Sequence, residues 1–356
     1  MTKTEETGNS GKLSRNAGGS PSINNHGHSR LKTKRAVTFP SSKAAVKNGK
    51  SGTHARKSVS LDSIKDKKLR ELFCLDIPFF TLLERYTTDD FLQLDPSRTI
   101  PFFAEIRNYQ GAKEENGAVW IVRPIKDEEI LQTATSTIVY FLDRFTGSLS
   151  APTILTKINN HIYRATKLIT RADQLSGANY TVEKHLKEQL ALDLINRWIF
   201  ADEDRNPNNY LVKTDSKNLQ LVIPIDFGNA DLTSEAIKIK GISSKFGWAR
   251  KEKTQYLTPL KMNAFTEYDM TFYQHRFQHF EKIDAKLLRR ICKAILRLCP
   301  QPLNIEKTTK TITRNILRRI HYVHAYFEKH IPDHIVKTNK YSGMGEAFLK
   351  ISQGDL

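Results

Sequence analysis

Asp204-Arg205-Asn206-Pro207-Asn208-Asn209 is followed, sixteen residues after Asn209, by Ile225-Asp226-Phe227-Gly228. Between them lie two short apolar runs, Tyr210 to Val212 and Leu219 to Ile225, separated by the polar Thr214 to Asn218. That is the pattern of a β-hairpin, so the first motif falls on the loop that enters it and Asp226 at the end of its second arm. Pro207 favours a turn, because it fixes its own φ and biases Asn206 away from helix. Gly228 lets the backbone leave the strand end freely. The plain alternative is a pair of surface turns flanking an ordinary hairpin.

The residue types suit moving a phosphoryl group. One carboxylate, Asp204, positions an attacking hydroxyl and accepts its proton, while an amide and a second carboxylate, Asn209 and Asp226, hold a divalent cation on nucleotide phosphates. Arg205 belongs beside Asp204 as a structural or phosphate-facing group. Oxygen donors of this hardness suit Mg²⁺ or Mn²⁺ rather than zinc. The preceding segment from Val182 to Ile199 places Leu186, Leu190, Leu194, Ile195 and Trp198 at helical intervals, with apolar residues on most sides. It reads as a buried helix, and such a helix holds a loop rigid.

These stretches, with Asn196-Arg197-Trp198-Ile199-Phe200, resemble the catalytic core of atypical kinases, nearest the branch of the phosphatidylinositol 3- and 4-kinases and the HipA-like bacterial kinases. Trp120 to Glu129 resembles that branch's nucleotide-lobe strand, and Ala134 to Phe145 its following helix; the likeness covers about residues 100 to 230. It implies an α+β, two-lobed protein-kinase-like fold, with a small antiparallel-sheet N-lobe, a mostly helical C-lobe and ATP with Mg²⁺ or Mn²⁺ as cofactors. Two departures stand out. Arg123 occupies the place of the ATP-contacting lysine, and Thr135-Ser136-Thr137 stand where its glutamate partner belongs. Arginine is planar and differently hydrated, so the exchange is not conservative. The options are that Arg123 meets the phosphates, that Lys126 reaches in, or that the lobe is degenerate; Glu128 or Glu129 can replace the absent partner.

The 356 residues carry a formal net charge of +18, from 56 Lys and Arg against 38 Asp and Glu, which selects anionic partners. Residues 1 to 60 hold twelve basic residues against Glu5 and Glu6, a net of +10, and almost no large apolar side chains. They bury too little surface to offset chain entropy, so a disordered basic tail is expected. The nucleotide lobe with its leading helices is then assigned to 61–168, the catalytic lobe to 169–331 and a second tail to 332–356. Lys238, Lys240, Lys245, Arg250, Lys251 and Lys253 form a basic loop after Gly228, which in the resembled lipid kinases meets an inositol headgroup.

Three cysteines without metal spacing suit reduced thiols in a cytosol-like compartment, and Cys292 and Cys299 share an apolar helical face. The eleven histidines show no ligand spacing. Neither a signal-peptide run nor an apolar stretch of spanning length is present, and a bacterial protein delivered into a host cell fits the composition. The favoured reading is a Ser/Thr protein kinase acting on an acidic protein. The alternatives are a phosphoinositide kinase, with peripheral association to an anionic membrane, and an inactive kinase-like module that binds phosphoinositides or inositol phosphates. Nucleic acid is the weakest partner, because aromatics do not interleave with the basic residues.

Overall fold

The computed structural model describes residues 61, 64–95, 109–180, 183–202, 207–235, 268–300 and 303–331. Both proposed tails and the basic loop from Lys238 to Lys253 lie outside these residues.

Alternation builds the first sheet. β1 (Gln93–Leu94), β2 (Gln110–Lys113), β3 (Val119–Pro124), β4 (Thr153–Ile158) and β5 (His161–Lys167) pair antiparallel in the order β1-β2-β3-β5-β4. On one face Trp120, Val122 and Ala165 are buried to the last atom. The opposite face carries Ile121, Arg123, Arg164 and Thr166, because Ile121 pairs with Thr166 and Arg123 with Arg164. One face thus belongs to the core and the other to a cleft.

The sequence also reads Pro101 to Tyr109 as a strand; that stretch falls mostly outside the described residues, and β2 begins just beyond it. The turn joining β2 to β3, Lys113 to Gly117, is polar in sequence, yet its Glu114 is buried. Its carboxylate accepts from Trp120 Nε1 at 2.8 Å and Arg85 Nη2 at 2.5 Å, and lies 3.2 Å from Lys167 Nζ. Two cations and an indole N–H meet the cost of burying the charge, and they staple α2 (Phe79–Tyr86) to β2, β3 and β5.

α3 (Asp127–Phe145) starts seven residues earlier than the apolar pattern suggested. Asp127, Glu128 and Glu129 occupy its first turn, where the helix dipole favours acids, and Glu129 accepts from the backbone N–H of Lys126 at 3.1 Å. The helix lies behind the sheet, buried from Thr133 to Asp143.

A three-stranded antiparallel sheet follows, β6 (Asp173–Gln174), β7 (Tyr210–Thr214) and β8 (Gln220–Pro224), close to the expected hairpin. The side chain of Gln189 on α4 (Lys184–Phe200) serves β8 as a further strand would, donating to Gln220 O and accepting from Val222 N, both at 2.9 Å. α5 (Met270–Glu281), α6 (Ala285–Leu296) and α7 (Ile305–His330) complete a mostly helical second half. The architecture is α+β, an antiparallel-sheet part leading into a helical part, as the sequence indicated. On α6 the buried stripe is Leu288, Ile291, Cys292, Ile295 and Leu296, with Leu287 and Leu298 partly buried at its edge. α6 packs on α3 and α7, so the stripe is core. Among the described residues no helix is long and apolar enough to cross a membrane.

α1 (Lys67–Leu72) supports the join between the two sheets. Ile64, Leu69 and Phe73 pack in one cluster with Leu149, Ala151, Ile169, Leu221 and Ile223.

Candidate functional site

A buried ionic knot sets the backbone under the site. Arg197 on α4 donates to both oxygens of Asp143 on α3, and also meets Asp193 at 3.2 Å and Asp202 at 3.4 Å. All four side chains are within a few per cent of full burial. Burial alone would depress the guanidinium, but Asp143, Asp193 and Asp202 outweigh it and raise the Arg197 pKa. Asn196 donates to Asp143 at 2.7 Å and accepts from Arg276 on α5 at 3.0 Å. Burial pulls Arg276 down to about 10 against the opposing pull of Asp193 and Asp143. Tyr210 Oη donates to Asp193 at 2.8 Å, which ties β7 to the same knot.

This knot brings the two sequence motifs together. α4 ends at Ala201, whose φ of 51° turns the chain, and Asp202 pairs with Ala230 as an isolated antiparallel bridge. On the far side of 203–206, Pro207–Asn209 forms a 3-10 turn, and the carbonyl of Asn209 accepts from Ile225 N at 2.9 Å. Both flanks of Asp204 and Arg205 are therefore fastened to the Ile225–Ala230 stretch, although those two residues lie outside the described set. Phe227 is buried under the Arg197 guanidinium, 4.9 Å from carbon to ring centre.

α3 holds the next residues from above. Ser136 Oγ donates to Phe227 O at 3.1 Å, and Gln132 Nε2 donates to Gly228 O. Ser136, one of the three residues standing where the resembled family keeps a glutamate, thus grips the backbone of the second motif together with Gln132, one turn earlier. Asp226 sits between these anchors with φ 54°, a left-handed conformation that aspartate tolerates better than most residues. Its carboxylate is half exposed. Oδ1 accepts from Arg164 Nη2 at 2.7 Å and from Gly228 N at 3.3 Å. A Cβ on Gly228 would stand 3.2 Å from that oxygen, so a side chain there would crowd the carboxylate.

The cleft in front of Asp226 has a volume of about 960 Å³. Its apolar lining includes Ile121, Leu168, Ile169, Leu211 and Ile225, and its charged lining is Arg123, Arg164, Lys167, Asp173 and Asp226. Arg123 donates to Glu129 through Nη1 at 3.2 Å and Nη2 at 2.8 Å. Hydrogen bonding to Glu129 raises the Arg123 pKa, and the same bonds, with the Lys126 N–H, hold the Glu129 carboxyl below the usual range. Glu129 is thus the partner that was sought for Arg123. Lys126 and Glu128 pair with each other at 3.7 Å, both about three-quarters exposed, and neither lines the cleft. Their positions in the first helical turn point them to solvent.

Sequence reasoning missed Arg164. It stands in a short strand with no motif around it, and only the register of β5 against β3 reveals that it shares Arg123's face. The basic residues Lys238, Lys240, Lys245, Arg250, Lys251 and Lys253 lie outside the described residues. The Asn209–Ile225 backbone bond places Asn209 beside the residue that precedes Asp226, and both side chains carry the hard oxygen donors that a magnesium-type cation takes. Among the described residues no group of three or more His, Cys, Asp or Glu forms a metal cluster.

No protein-family model matches the chain, and no curated protein does. Among solved structures it is similar to the proinflammatory kinase CtkA of Helicobacter pylori, with a TM-score of 0.42 and 11% identity over 68% of this chain and 98% of that one. It is also similar to HipA of Shewanella oneidensis MR-1, from a complex of the toxin–antitoxin system HipA and HipB with operator DNA. There the TM-score is 0.35 and the identity 9%, over 74% of this chain and 84% of that one.

Proposed function

We propose that the chain is an ATP-dependent phosphotransferase that moves the γ-phosphoryl group to a hydroxyl, with serine or threonine of an acidic protein as acceptor. The observation that carries this reading is that one cleft is lined both by the apolar Ile121, Leu168, Ile169, Leu211 and Ile225 and by Arg123, Arg164 and Asp226. A purine base suits the apolar lining, and a polyphosphate suits the pair of arginines.

Asp226 and Asn209 would hold Mg²⁺ or Mn²⁺, which when bound offsets phosphate charge. Arg123, fixed by Glu129, faces the phosphates. Asp204 takes the proton of the acceptor hydroxyl as its oxygen bonds to the γ-phosphorus and the bond to the bridging oxygen breaks, releasing ADP. Asp226 is kept in place by Gly228 and by the hold of Gln132 and Ser136 on residues 227 and 228, so its position does not depend on the ligand.

The test is incubation of the full chain with γ-labelled ATP and Mn²⁺ in three separate mixtures: acidic protein substrates, phosphatidylinositol-containing vesicles, and buffer alone. Label on serine or threonine of protein supports the proposal. Label confined to lipid replaces the acceptor, and no label together with no metal-dependent ATP binding leaves an anion-binding module.

A further inference from the structure

Arg123 and Arg164 are direct cross-strand partners, so two guanidinium groups project side by side from one face of the sheet. Like charges opposite one another on a sheet destabilise it unless each finds a counter-ion. Each does, in a different way. Arg123 is locked on Glu129, whose carboxylate is itself held by the Lys126 N–H. Arg164 reaches across the cleft to Asp226, the residue to which the proposed function gives the cation.

Arg164 Nη2 is 2.7 Å from Asp226 Oδ1, and its Nη1 lies 3.5 Å from where a Cβ on Gly228 would be. A magnesium-type cation binds carboxylate oxygen at about 2.0–2.1 Å. A cation and a guanidinium at such distances from one oxygen repel each other strongly, so a cation on that oxygen drives Arg164 off. Arg164 is largely but not wholly buried and ends a long side chain, so it swings within the cleft without unfolding the strand.

We propose that Arg164 is a polyphosphate-binding residue that exchanges partners: it holds Asp226 until a divalent cation takes the carboxylate, and then turns to the phosphates beside Arg123. The inference rests on the phosphotransferase reading. It makes the cation and the nucleotide mutually dependent through one side chain, because each removes a competitor of the other.

Binding measurements on the full chain separate this from a structural role. Mn²⁺ alone, Mn²⁺ with ATP, and adenosine are titrated against the wild type, Arg164→Met and Arg164→Lys. The expected result for Arg164→Met is a Kd for Mn²⁺-ATP raised about tenfold, little change for adenosine, and tighter binding of Mn²⁺ alone. Arg164→Lys should retain part of the ATP affinity, and it carries the test if the methionine variant melts well below the wild type. Equal weakening of ATP and adenosine, or Mn²⁺ affinity that does not rise, overturns the exchange. If wild type binds Mn²⁺-ATP and the variants match it, only this inference fails; if wild type binds no nucleotide, the proposed function fails with it.

Discussion

Glu129 stands six residues after Arg123 and takes its guanidinium in two hydrogen bonds, from the first turn of α3 rather than from the helix interior. An arginine needs a planar, two-oxygen partner aligned with its fork, and the start of the helix supplies one without a longer reach. Glu129→Gln should therefore leave Arg123 near the cleft but loosely aimed. The Kd for Mn²⁺-ATP is expected to rise several-fold, with adenosine binding unchanged, and calorimetric titration of both ligands checks this.

The same pair gives a pH dependence with a fixed sign. The folded-state pKa of Glu129 lies below its ordinary value, chiefly through the Arg123 hydrogen bonds. Its contribution to stability is then complete above the unfolded carboxylate range, near about 4.3, and is lost as pH falls through the lower folded value. The difference in melting temperature between wild type and Glu129→Gln should be constant from pH 8 to 6 and shrink below about pH 4. A difference that grows on acidification would contradict the assignment.

Arg197 presents a harsher case, because removing one side of a buried ionic knot leaves the other uncompensated. Arg197→Met abandons Asp143, Asp193 and Asp202 in the interior, and a loss on the order of 3–5 kcal/mol is expected. Asp143→Asn/Arg197→Met should be less destabilised than the two single losses combined, since the knot acts as a unit. Urea denaturation of the three variants measures both quantities.

Burial pushes the Cys292 and Cys299 thiols up to about 12. The thiolate is the reactive form, so neither should react quickly at pH 8. An aromatic disulfide reagent is expected to label both only after denaturant is added; rapid labelling in the native protein would mean that α6 opens, if at Cys292, or the turn after it, if at Cys299.

How much of this was legible depended on whether a residue's role follows from its neighbours in sequence or in space. The β7–β8 hairpin and the buried α4 were readable, because period and turn composition are local signals. The first two turns of α3 were not, since Asp127 to Thr133 lacks an apolar stripe and is held by its cap and dipole. The burial of Glu114 in a polar turn is not legible, because nothing near it in sequence announces Arg85 or Lys167, 29 and 53 residues away. Arg164 was hidden for the same reason, its meaning fixed by strand register. The two motifs stand close in sequence, either side of one hairpin, but the grip of Ser136 and Gln132 on residues 227 and 228 spans more than ninety residues.

Asp226 decides whether the cleft holds a cation site, and the choice of substitution matters because its φ is 54°. Alanine in the left-handed region would add backbone strain of roughly 1–2 kcal/mol and confuse lost ligation with lost folding. Asparagine tolerates that region and keeps an acceptor for Gly228 N, so Asp226→Asn removes charge while preserving shape. Arg164 loses its counter-ion in this variant and is left to the phosphates. The expectation is thus a split: Mn²⁺ alone binds at least about tenfold more weakly, equivalent to about 1.4 kcal/mol, while ATP without metal binds as well as to wild type or better. Parallel titrations of Mn²⁺, ATP and the two together read the split directly. Unchanged Mn²⁺ affinity would remove Asp226 from the ligand set, and Asn209 with it.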